Sequence, residues 1–116
     1  MLKVYGLRNC DTCQKARKWM EANGITHTFL DVRSDGVTES DLKRWADTAG
    51  IDKLLNRRGT TWRGLSDAEK AGVDGDSAIP LMMALPALIK RPVFDDGTNV
   101  HIGFDKSVQR ALSAAK

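Results

Sequence analysis

The chain has 116 residues, 41% of them apolar and 28% charged, with a net charge of +3. That balance is the composition of an ordinary folded protein, long enough to build a core without a disulfide. No stretch approaches the ~20 apolar residues of a membrane span, MLKVYGL is too short for a signal-peptide core, and acids interleave with bases instead of leaving a nucleic-acid-binding stripe.

In chain order, LKVYG (2–6) reads as a short buried strand stopped by Gly6. Residues 12–22 carry Cys13, Ala16, Trp19 and Met20 at helical spacing, and Asn23-Gly24 ends that helix. HTFLDV (27–32) is a second strand, which makes a βαβ unit with parallel pairing. Thr38 opens a helix that Gly50 closes, and a short helix follows at 51–55. Ser66 and Glu69 form a capping box before a segment stopped by Gly72, and Ser77 starts SAIPLMMAL. PALIKRPVF (86–94) reads as a strand interrupted by Pro92 and pairs with VHIGF through the turn DDGTN. Asp105 caps a last helix, DKSVQRALSAA. The order is one α/β domain over 1–116, with a helical insertion at about 37–85 between strands two and three. Trp19 and Trp45 are expected in the core, as is the Met82-Met83 pair; Trp62 is either core or the wall of a site.

The chemistry lies in RNCDTCQKARKW (8–19), which holds Cys10 and Cys13, the only cysteines of the chain. A disulfide across two intervening residues would close too small a loop to stabilise much. A zinc site needs four ligands, or three plus water, and would have to recruit His27 and His101 from separate strands; no metal is expected. Two inert buried thiols are a further alternative. The redox reading has a local cause. Cys10 falls between the first strand and a helix N-terminus, where backbone N–H groups favour an anion, and Arg8, Lys15 and Arg17 add positive charge. Cys10 is therefore expected to have a lowered pKa and to be the nucleophile, with Cys13 beneath it on the same helix face as a resolving thiol. Asn9 is a local donor to the thiolate, and Thr12 either donates or simply caps the helix.

YGLRNCDTCQKAR, NRRGTTWRGL (56–65) and PALIKRPV (86–93), in this order, resemble the ArsC/Spx superfamily and most closely its YffB-like branch. The resemblance implies a thioredoxin-like fold, βαβ…ββα with a mixed sheet. It makes Cys10 the catalytic cysteine, Arg91 the arginine beside it, and Pro92 a cis-proline facing the cysteine loop. Arg58 matches a second active-site arginine, with Arg57 as its rival in register. In place of a third arginine after the hairpin the chain reads HIGF, which counts against arsenate reduction. The implied activity is that of a cytoplasmic thiol–disulfide reductase with no bound cofactor. Glutathione or glutaredoxin would be its reducing partner, and a small-molecule or protein disulfide its substrate. An Spx-type redox regulator binding RNA polymerase, or an arsenate reductase proper, are the alternatives.

Overall fold

Strand β1 (Leu2–Gly6) is the centre from which the fold grows. A computed structural model describes residues 2–73 and 77–114. Two compact units make up the chain. One is built from the stretch up to Asp35 and the stretch from Arg91 on; the other is Gly36–Lys90.

In the first unit, β1 pairs in parallel with β2 (His27–Asp31), Gly6 lying opposite Asp31. On its other side β1 pairs antiparallel with β3 (Val93–Asp95), which pairs antiparallel with β4 (Val100–Ile102). Among the described residues the sheet order is β2-β1-β3-β4, so the mixed sheet expected for a thioredoxin-like fold is present. Val4 and Phe94 are register partners and therefore share a face. They bury against Ala16 and Met20 of α1 (Asp11–Ala22) and Val108 and Leu112 of α7 (Lys106–Ala114). These helical positions are four apart, which turns one stripe of each helix to the sheet. Half-buried Trp19 closes the layer edge-on to Phe104, ring centres 5.6 Å apart. Asp105 accepts the Val108 N–H at 2.9 Å and so caps α7 as expected; Ala115, the expected end of that helix, lies outside the described residues.

The second unit contains α2 (Glu39–Ala49), α3 (Ile51–Leu54), α4 (Thr60–Arg63), α5 (Asp67–Ala71) and α6 (Ala78–Ala84). Its punctuation follows the sequence: the Thr38 hydroxyl accepts the Asp41 N–H, and Ser66 and Glu69 form a reciprocal capping box. Trp45, Leu42, Leu54, Met82 and Leu88 are fully buried, whereas Met83 is exposed and does not belong to the core.

The strand expected over 86–94 is corrected. Pro86–Leu88 is a 3-10 turn and Ile89 makes a single bridge to Leu55; the ladder begins at Val93. The Pro86 ring fixes a helical φ, which diverts an apolar run that otherwise reads as strand. Helix α4 is a further difference: Gly59 and Gly64 bracket only four residues, too few to show a helical period.

Candidate active site

The turn that follows β1 sets the site. The Leu7 C=O accepts the Cys10 N–H at 3.1 Å, closing residues 7–10 into a turn. Cys10 is then the N-cap of α1, in extended backbone conformation (φ −91°, ψ 123°), and its C=O accepts the Gln14 N–H at 3.0 Å. The sulfur consequently sits where the unpaired N–H groups of the first helical turn concentrate positive potential. Cys10 is half-buried, and Cys13, one turn on, is fully buried; both are free thiols.

The two thiols are shifted in opposite directions. Burial opposes ionisation of Cys10, but the backbone N–H of Cys13, the Cys13 thiol and the Arg91 guanidinium outweigh it and hold Cys10 below the ordinary thiol value. The Cys10 side chain makes no cap hydrogen bond of full geometry. Cys13 is pushed up to about 12, first by burial and then by the hydrogen bond and negative charge of Cys10; the Leu7 N–H and Arg91 offset only part of this. Interacting groups share their titration, and here the environment favours ionisation of Cys10 over that of Cys13.

Arg91 and Pro92 stand at the entry to β3, an interior strand of the sheet. The Arg91–Pro92 peptide bond is cis, as the resemblance implies. The Pro92 C=O accepts the N–H of Gly103, whose φ of +89° suits glycine, in the HIGF stretch.

Other expected contributors lie elsewhere. Thr12 is the second residue of α1, not its cap, and both it and Asn9 are exposed. The Arg8 guanidinium, expected beside the thiolate, is 3.6 Å from Asp31 and 3.5 Å from Asp35. Arg17 lies over the Phe29 ring, 4.3 Å from its centre. Arg8 and Arg17 thus have other partners, and Arg91, some eighty positions away, supplies the cation that acts on Cys10. Arg58 belongs to the second unit, where it is exposed; its N–H donates to Asn56 and its C=O accepts from Arg63. Arg57 pairs with Asp52 at 2.9 Å and faces the Trp62 ring, giving that tryptophan a local partner. Among the described residues no group of three or more His, Cys, Asp or Glu side chains could hold a metal ion, and no helix is long and apolar enough to cross a membrane.

Two further residues contribute to the site beyond what their sequence pattern shows. A Cβ built on Gly6 would lie 2.5 Å from the Cys13 sulfur, so this glycine makes the space in which the second thiol rests. Asp31 is a buried carboxylate that accepts three backbone N–H groups, from Arg8, Arg33 and Ser34. The signal for it was available: an acid between the apolar residues Leu30 and Val32 of the strand HTFLDV needs partners if it is buried.

The ArsC family profile matches residues 5–112. A solved structure of the YFFB (PA3664) protein superposes with a TM-score of 0.91 at 38% identity, covering 97% of this chain and 98% of that one. An arsenate reductase (ArsC) related protein from Brucella melitensis has a TM-score of 0.76 at 40% identity, covering 95% and 92%. The global transcriptional regulator Spx 2 of Bacillus anthracis is 26% identical over 97% of this chain and 87% of its own length. With Cys10, Cys13 and Arg91 set on a thioredoxin-like sheet, and the match spanning nearly all of its length, this chain belongs to the arsenate-reductase-like ArsC family.

Proposed function

We propose that the protein is a cytoplasmic, glutathione-dependent thiol–disulfide reductase in which Cys10 is the nucleophile. The observation that carries this reading is the geometry of the pair: Cys10 is half-buried as the N-cap of α1, and Cys13, one turn on, is fully buried. Attack on a disulfide needs a thiolate with access; half-buried Cys10 has access and a lowered pKa, whereas Cys13 is buried and raised. The Cys10 thiolate attacks one sulfur of the substrate disulfide. The S–S bond breaks, the departing sulfur leaves as a thiolate that takes a proton from water, and Cys10 is left in a mixed disulfide. A glutathione thiolate displaces the remaining substrate thiol, and a second glutathione regenerates Cys10 and leaves as glutathione disulfide. Two glutathiones are oxidised for each disulfide reduced. Arg91 stabilises the Cys10 thiolate as attacking and leaving group, and its planar fork suits a glutathione carboxylate. Asn9, Thr12, Pro92 and Arg58 are proposed as substrate-contacting residues on the family resemblance. A reducing compartment, where thiols stay free, suits this chemistry.

Cys13→Ser is expected to retain most of the glutathione-coupled turnover of a model disulfide, since the hydroxyl still donates a hydrogen bond towards Cys10 and glutathione resolves the intermediate. Loss of turnover in this variant would make the pair a working dithiol. Absence of turnover in the wild-type protein would overturn the reductase reading.

A redox-sensing regulator of the Spx type, acting on RNA polymerase, is the second reading, favoured by the Cys-x-x-Cys pair and the Spx 2 likeness. Redox-dependent capture of polymerase without disulfide turnover selects it. Arsenate turnover is expected to be weak, because on the family resemblance the HIGF stretch offers no third guanidinium for the oxyanion.

A further inference from the structure

We infer that Asp31 is a positioning residue for Cys10: by holding the Arg8 N–H it fixes the turn that sets the Cys10 sulfur at the mouth of α1. The inference deepens the reading of Cys10 as the reactive thiol and rests on it. Asp31 ends β2, and its Oδ2 accepts the Arg8 N–H at 3.1 Å, while its Oδ1 accepts the N–H groups of Arg33 and Ser34 at 2.8 and 3.1 Å. One carboxylate thus binds the loop after β2 to the loop after β1. The Arg8 side chain reinforces the link, donating to Ser34 Oγ at 2.7 Å and approaching Asp35 at 3.5 Å; Asp35 in turn accepts the Asp31 N–H at 2.8 Å. From the helix side, Gln14 Nε2 donates to the Arg8 C=O at 2.9 Å. Arg8 is therefore tied at its N–H, its carbonyl and its guanidinium, and it lies inside the turn closed by Leu7 C=O and Cys10 N–H.

Buried at 7% exposure, Asp31 cannot exchange these donors for water without opening the loop. With the turn loosened, the Cys10 sulfur would leave the first-turn N–H groups and the Arg91 guanidinium, both of which act only at close range.

The sign of the effect separates positioning from its rivals. Removing a negative charge near a thiol, with geometry unchanged, makes the thiolate easier to form. A purely structural acid would lower the melting temperature and leave the titration alone. Positioning predicts the opposite of the charge effect: in Asp31→Asn the Cys10 titration moves up by about one unit, and alkylation at neutral pH slows about tenfold. Gln14→Ala, at an exposed position with little folding risk, moves it the same way by less. The readout is the rate of Cys10 alkylation against pH, with circular dichroism confirming the fold and mass spectrometry locating the label. An unchanged or lowered titration in folded Asp31→Asn overturns the inference; if that variant does not fold, an unchanged titration in Gln14→Ala does so. Alkylation does not depend on turnover, so a wild-type protein that titrates low yet reduces no disulfide would sink the reductase reading and leave Asp31 in its role.

Discussion

Gly6→Ala lowers stability by about 1–2 kcal/mol and disturbs the second thiol. Two effects compete. Alanine stiffens the unfolded chain, a gain of roughly 0.4–1 kcal/mol where the site is open, whereas overpacking a filled core costs about 1–3 kcal/mol. The geometry decides for overpacking: the new methyl group would lie 2.5 Å from the Cys13 sulfur and 3.3 Å from both Cys13 Cβ and the Phe29 ring. Cys13 has no surface exposure to retreat into, and its place in the first turn of α1 limits its rotamers. Urea denaturation measures the loss. Adding Cys13→Ala to Gly6→Ala should recover part of it, because the sulfur that clashes is gone; two losses that simply add would show that the close approach is not the cause.

Arg91→Ala acts on reactivity directly. Its guanidinium reaches Cys10 by both a hydrogen bond and its charge, which supports the thiolate against the burial that opposes it. Without it the Cys10 titration is expected to rise by about one unit, and the thiolate fraction at neutral pH to fall about tenfold. Arg91→Lys restores the charge without the planar fork and should recover only part. The alkylation profile against pH checks both variants, and a profile unmoved in folded Arg91→Ala would remove Arg91 from the site.

Local punctuation made much of this fold legible in the sequence. Gly6, Asn23-Gly24, Thr38, Gly50 and the Ser66–Glu69 box each mark an element boundary through backbone chemistry that acts within a few residues. The apolar run after Pro86 misled, because side-chain hydrophobicity says that ALI is buried but not whether it forms a ladder or a turn. The site was legible in its thiols, since a cysteine between strand and helix is a local feature, and Arg91 and Pro92 were reached only through the family resemblance. Charge was the weakest guide. Arg8 and Arg17 lie close to Cys10 along the chain, yet Asp31 and Phe29, brought alongside by the parallel β1–β2 pairing, claim them instead. The partners of a flexible cation are set by tertiary structure, which adjacency in sequence does not encode.

One protonation state underlies the whole account, and the most direct measurement is the rate of alkylation of the wild-type protein against pH, with the labelled cysteine identified by mass. The expected result is modification of Cys10 alone, with an inflection below about 8.5, the value of a free cysteine. An inflection at or above that value, or label arriving first on Cys13, would contradict it.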